Sequence, residues 1–307
     1  MKNILKSILF IIIFIIIFYS LSYLFLPKSN MKKFSLYKIS SYEILGENPD
    51  SVDVVMLGDS LVYSSIVPME IYGNYGYTVF DCSEPAMLLS NIYNYYNEAI
   101  KSQKPKIAFV EANSLFRDPK KKKKKDIYIK SIKNTIPLFR YHNNWKKMLF
   151  SNTKLINLDK GYRLNKTSLP SKNRNYMIKN KINYTIPQEN MKNLEKIIKI
   201  SKENNIKLVI IGFPSQKSWN YSKDQKIKEV SKKYNLEYIN LNKENNLKID
   251  WSKDTKDNGD HLNYYGALKT SKYIGEYLKN TKLLKDHRND PKYSNWNKAY
   301  KKYQSAN

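Results

Sequence analysis

From about residue 50 onward the chain alternates short apolar runs with longer stretches whose apolar positions recur every three or four residues. The runs are "VDVVML" (52–57), "YTVFDC" (77–82), "KIAFVEA" (106–112), "KLVIIGFP" (207–214) and "LEYINL" (236–241). Each is short, rich in β-branched residues and bounded by turn formers, which predicts strands. The segments 89–103, 189–205, 222–235 and 264–280 carry helical spacing. Strands that are apolar at consecutive positions suit a sheet buried on both faces. Their alternation with helices predicts an α/β fold around a mostly parallel, five-stranded sheet.

Four regions fall outside that rhythm. Residues 7–26, "SILFIIIFIIIFYSLSYLFL", hold 20 positions without a charge. At about 1.5 Å per residue such a helix reaches roughly 30 Å, the thickness of a bilayer's hydrocarbon core. A cleaved signal peptide would have a shorter apolar core and a small-x-small site after it, and "SYLFLPKSN" has no such site. Residues 1–26 therefore read as an uncleaved single-pass anchor. A polar stem follows at 27–50. Residues 114–188 are too long for a simple crossover and read as a lid insertion. They contain a lysine run at 120–125 and an aromatic stretch at 131–150 that includes Tyr141, His142 and Trp145 as candidates to cover a cleft. Residues 281–307 read as a polar tail, which leaves 51–280 as the domain.

Charge changes the picture less than its size suggests. The 307 residues carry a net charge of +27, but only five of the 54 basic residues are arginine. Arginine is the side chain suited to bidentate phosphate and base recognition, so its scarcity argues against a nucleic-acid surface. Attraction to an anionic lipid or wall polymer fits better. Lysines on both sides of the apolar span leave its orientation undecided. Cys82 is the sole cysteine, which excludes an intrachain disulfide and a cysteine-based metal site. With only His142, His261 and His287 available, no metal or other cofactor is expected.

Chemistry concentrates at two places. "VVMLGDSL" puts Ser60 just past the end of the first strand, and open parallel sheets bind ligands outside the carboxyl ends of their strands. "DTKDNGDHLNYYGALK" (254–269) puts His261 between the last strand and the last helix, beside Asp257 and Asp260. A serine hydroxyl needs a base to take its proton and a third group to orient that base. Alone, Gly-Asp-Ser recurs by chance and its Asp or Ser can simply cap a helix. Alone, "DNGDHLN" can be a surface turn.

Together, placed after the first and last strands, the two segments resemble the SGNH superfamily, also called GDSL hydrolases, over about residues 51–280 apart from the lid. The resemblance implies a flavodoxin-like three-layer α/β/α sandwich with Ser60 as nucleophile and His261 as base. The family's acid stands three residues before the histidine, where this chain has Asn258. Asp257 is taken in its place, with Asp260 as the alternative. The implied oxyanion hole consists of the Ser60 N–H, the Ser83 N–H where the family has glycine, and the Asn113 side chain. Around Asn113 the family's glycine and aspartate are replaced by Glu111 and Ser114, and Asn113 reads equally well as a turn amide.

The single anchor and aromatic lid resemble membrane-bound SGNH proteins thought to work with a multi-pass membrane O-acyltransferase, as in alginate acetylation or teichoic-acid D-alanylation. That resemblance implies an extracytoplasmic domain that O-acylates a surface polysaccharide or wall polymer through an acyl-serine. Hydrolysis of a carbohydrate or lipid ester is the second expectation. A non-catalytic anchored binding module is the third.

Overall fold

The structure is a computed structural model that describes residues 2–22, 43–119, 136, 138, 159–172, 176–179, 182–244 and 247–306. The lid candidates Tyr141, His142 and Trp145 and the lysine run lie outside the described residues. The chain divides into two compact units, residues 1–42 with 120–156 and residues 43–119 with 157–307. In the first unit, α1 (Lys2–Ser22) is a continuous helix. Its segment Asn3–Ser22 has a mean hydropathy of 2.7 and is long and apolar enough to cross a membrane. Of the expected span 7–26, residues 23–26 lie outside the described residues.

The second unit is built on five strands: β1 (Val54–Gly58), β2 (Val79–Ser83), β3 (Ile107–Glu111), β4 (Lys207–Gly212) and β5 (Glu237–Asn240). They pair in the order β2-β1-β3-β4-β5, and every pair is parallel. This is the flavodoxin-like winding. Its direction reverses between β1 and β3, so the switch-point crevice opens at their carboxyl ends. The sequence boundaries hold to within about two residues, because strands buried on both faces leave unbroken apolar runs.

Alternation along the strands feeds two cores. Val54, Met56, Ile107, Phe109, Val209 and Ile211 pack with residues of α2 (Ser60–Ser65), α3 (Pro68–Tyr75) and α7 (Tyr264–Thr281). The intervening buried residues face α4 (Leu89–Ala99) and α5 (Gln188–Glu203), while α6 (Tyr221–Tyr234) packs on β5. Pro68 at the start of α3 and Gly76 in the left-handed region after it (φ 73°) bound that helix.

The polar tail folds. Residues Ser294–Ala306 form α8, whose Trp296 is fully buried against Tyr72 of α3, with ring centroids 5.6 Å apart. A Cβ on Gly73 would sit 2.3 Å from the Tyr300 ring, so the two helices meet where that side chain is absent. The unit also begins before residue 51. Ile44 and Glu47 are buried, and Glu47 accepts a hydrogen bond from Lys160 Nζ at 2.7 Å and one from Asn295 Nδ2 at 3.0 Å. Residues 159–171, read as part of the lid insertion, belong to this unit as well: Leu169 and Ser171 N–H groups donate to the Thr255 and Trp251 carbonyls.

Candidate active site

The turn after β1 is set by close approach. A Cβ on Gly58 would lie 2.5 Å from both Glu111 Cβ and Val62 Cγ2, so the strand can only end this near β3 with glycine. Asp59, 1 % exposed, then caps α2 by accepting the Leu61 N–H at 3.0 Å, and its other oxygen pairs with Arg117. This fixes Ser60 as the first residue of α2, with its hydroxyl 2.7 Å from His261 Nε2.

The loop carrying His261 is folded by its own polar groups. Thr255 and Leu262 form an antiparallel bridge, and the Lys256 N–H donates to the His261 carbonyl at 3.1 Å. Thr255 Oγ1 donates to that same carbonyl at 3.0 Å and accepts the Gly259 N–H at 2.8 Å. Asn258 (φ 59°) and Gly259 (φ 90°) take the left-handed conformations that turn the chain back, which asparagine and glycine do most readily. The extra residue between acid and histidine is absorbed there.

Asp257 reaches His261 twice. Its Oδ1 accepts the His261 backbone N–H at 2.7 Å, and its Oδ2 lies 2.5 Å from ring Nδ1. A carboxylate can only accept, so it fixes the proton on Nδ1 and leaves Nε2 as the acceptor for the Ser60 hydroxyl. Asp260 Oδ2 is 3.6 Å from Nδ1, beyond hydrogen-bond range, while its Oδ1 accepts from Ser215 Oγ at 3.1 Å and Ser218 Oγ at 2.6 Å. The structure therefore joins Ser60, His261 and Asp257 in one relay and leaves Asp260 beside it, outside hydrogen-bond range of the ring. These last two carboxylates and the histidine cluster closely enough to suit a cation, but both ring nitrogens are engaged within the relay.

The expected anion donors sit along the same edge of the sheet. Register places Ser83 opposite Gly58 at the ends of β2 and β1. Asn113 lies in the 3-10 turn Ala112–Phe116 that follows β3, and Glu111 makes that turn. Its carboxylate accepts the Asn113 N–H at 2.5 Å, and the Ser114 N–H and hydroxyl at 2.8 and 2.5 Å. Burial, with the Asp59 charge adding to it, pushes the Glu111 carboxyl up to about 8 against those donors. The departure from the family pattern at Glu111 thus has a structural use: it holds the turn.

Lys223 completes this side. Its ammonium donates to Asn113 Oδ1 at 2.8 Å and to the Ser218 carbonyl at 2.7 Å. An ammonium has no acceptor, so the atom of Asn113 facing it must be the oxygen, and the amide NH₂ faces the other way. Burial lowers Lys223 to about 8, with the nearby Glu111 charge opposing. Sequence reasoning missed Lys223, since nothing in "NYSKDQ" distinguishes it from its neighbours. A Glu at the end of a buried strand was a signal for Glu111.

With an oriented imidazole on its hydroxyl, Ser60 is placed to lose its proton to Nε2 as it attacks an electrophilic carbon. No protein-family model matches the chain, and no curated protein matches it. Solved structures similar to it include a candidate acylhydrolase of Bacteroides fragilis, at 12% identity, covering 82% of this chain and 97% of that one with a TM-score of 0.41. The psychrotrophic esterase EstA of Pseudoalteromonas sp. is 10% identical over 76% of this chain and 98% of its own, with a TM-score of 0.40. A family 3 carbohydrate esterase of Clostridium thermocellum is 12% identical over 75% and 96%, with a TM-score of 0.39. At these scores the likeness adds nothing to the topology described above.

Proposed function

We propose that the chain is a membrane-anchored serine acyl-transfer enzyme of the GDSL type that O-acylates a surface polysaccharide or wall polymer. The observation that carries the ester chemistry is the relay from Asp257 through His261 to Ser60. Ser60 Oγ attacks the ester carbonyl while its proton passes to His261 Nε2. The N–H groups of Ser60 and Ser83 and the Asn113 amide meet the developing oxyanion, each such donor being worth roughly 3 kcal/mol in comparable sites. His261 then protonates the leaving alcohol, and the acyl group stays on Ser60. In the second half His261 takes the proton of an incoming hydroxyl, which attacks the acyl-serine and frees Ser60.

The apolar segment Asn3–Ser22 supports a place at the membrane, and the sequence resemblance implies the outer side, where the polymer is. A multi-pass membrane O-acyltransferase would supply the acyl group, as the sequence resemblance implies. Hydrolysis is the second reading. Solvent reaches the relay, with the Asp257 side chain 37% exposed and His261 17%, so water is a competent acceptor. The test is labelling of the full chain in non-ionic detergent with a fluorophosphonate probe. Labelling is expected at Ser60 and absent in Ser60→Ala; an unlabelled wild-type chain would return the reading to an anchored binding module.

A further inference from the structure

Two cations stand beside Ser60 without a salt-bridge partner among the described residues. Tyr63 lies one turn along α2 from Ser60, buried, and its hydroxyl interacts with the side chains of both Ser60 and Arg163. Arg163 is pinned above it: its N–H donates to the Tyr63 carbonyl at 3.0 Å, and its guanidinium carbon is 4.3 Å from the Tyr63 ring centroid. Lys256 approaches from the catalytic loop. Its ammonium donates to Ser64 Oγ at 2.7 Å and sits 5.6 Å from the same ring.

Neither cation makes an ion pair among the described residues. The carboxylates whose charge acts on Lys256 are occupied, Asp257 by His261 and Asp260 by Ser215 and Ser218. Burial holds the Lys256 ammonium below its ordinary value, with the Asp257 charge opposing, the Arg163 charge adding to it and Asp260 opposing. Keeping the half-buried Lys256 ammonium beside the exposed Arg163 guanidinium costs free energy that a bound anion would return. Lysine is so abundant in this chain that one more near a site means little. Arginine is not: of five in the sequence, Arg163 lies over the nucleophile's helix and Arg117 pairs with Asp59 beneath it.

We propose that Arg163 and Lys256 hold a phosphate group of the substrate beside Ser60, so that the ester handled at this site is phosphate-bearing; this rests on the serine ester chemistry proposed above. A guanidinium over the ring keeps N–H groups beyond the one that meets the Tyr63 hydroxyl, enough for two oxygens, and the ammonium supplies a third donor. Three donors from two cations match a tetrahedral phosphate better than a two-oxygen carboxylate. The phosphate has two possible sources, a phospholipid headgroup or a phosphate-bearing polymer.

The deciding measurement is calorimetric titration of the full chain carrying Ser60→Ala, in non-ionic detergent, with sn-glycerol 3-phosphate. Saturable binding is expected, weakened about 10-fold by Arg163→Ala and by Lys256→Ala and less by Arg163→Lys. Succinate is expected to bind more weakly. No binding, binding that both alanine variants leave unchanged, or succinate bound as tightly overturns the proposal. No turnover is read, so an inert Ser60 leaves this result standing, while the labelling test decides the ester chemistry alone. With Ser60 intact, the kcat/KM ratio for 1-acetylglycerol 3-phosphate over 1-acetylglycerol cancels the amount of folded protein. It should exceed about 10 and fall toward unity in each alanine variant. Preference for an acetylated glycerol phosphate oligomer over short-chain phosphatidylglycerol assigns the phosphate to a polymer, and the reverse assigns it to a lipid. Rejection of both in favour of the neutral ester overturns the proposal.

Discussion

Asp257 binds His261 at both ends, backbone N–H at 2.7 Å and ring Nδ1 at 2.5 Å, from a position four residues earlier in the chain. Only a loop that turns sharply within those four residues allows this, and Asn258 and Gly259 provide the turn in left-handed conformations. A carboxylate held this way sets both the tautomer and the direction of the ring. Asp257→Asn should leave the protein folded and lower turnover of p-nitrophenyl acetate by roughly 10⁴-fold, because an amide at that place stabilises the wrong tautomer. Asp260→Asn keeps a side-chain oxygen for Ser215 and Ser218 and should cost less than about 10-fold. Steady-state kinetics on the two variants checks the pair, and the opposite order would reassign the acid.

Lys223 predicts a different signature. It touches no reacting atom; it turns the Asn113 amide so that its NH₂ faces away from the ammonium. Lys223→Met should lower kcat by about 10-fold with KM little changed, since misaiming one oxyanion donor costs less than deleting it. Lys223→Arg should recover part of the loss. In the wild type the ammonium loses its proton near pH 8, and the resulting amine can accept as well as donate. The orientation of Asn113 is then no longer enforced, so kcat should fall as pH rises through about 8. The methionine variant should lack that limb of the profile, which a merely structural lysine would not produce.

What could be read from the sequence follows from how each element is stabilised. The five strands were legible because a parallel sheet buried on both faces leaves consecutive apolar residues, as in Val54–Gly58. Ser60 and His261 were legible because they follow the first and last strands. The helix α8 was not: Trp296, Ala299, Tyr300 and Tyr303 form a helical stripe, but lysines and asparagines around them mask it. Nor could α2 and α3 be separated, since Leu61 through Met69 are buried on every side and show no period. Lys223 gains its role only when the fold brings α6 to Asn113, far from it in sequence, whereas Glu111 stands two residues from Asn113 and was marked by a carboxylate ending a buried strand.

Buried Asp81 makes a prediction about stability. It lies on β2, 2% exposed, and neither carboxylate oxygen has a hydrogen-bond partner among the described residues. Burial raises its pKa well above the ordinary carboxylate value, so it stays protonated in the fold while the unfolded chain ionises. The folded state then binds more protons than the unfolded one, and stability falls as pH rises above the unfolded carboxylate range until the folded group itself ionises. Asp81→Asn removes the titration and keeps the shape. It should match the wild type near pH 4 and exceed it by several degrees in Tm near pH 8, by differential scanning calorimetry. A wild type whose Tm advantage grows with pH would mean that Asp81 is ionised and partnered.

The choice between transfer and hydrolysis turns on what reaches the acyl-serine. His261 Nε2 can take a proton from water or from a sugar or polyol hydroxyl with the same geometry, so the relay itself does not discriminate. Binding of the acceptor does, by placing its hydroxyl at an effective concentration that water at 55 M cannot match without orientation. If the chain is a transferase, p-nitrophenol release from p-nitrophenyl acetate should be slow alone and should accelerate, with saturation, as a polyol or glycerol phosphate acceptor is added. Mass spectrometry should then find acetyl on the acceptor in proportion to the extra p-nitrophenol. If deacylation by water is the natural reaction, release should be fast from the start, free acetate should account for all of it, and the acceptor should leave the rate unchanged. Because both outcomes begin from the same labelled Ser60, they divide the two functional readings without reopening the nucleophile.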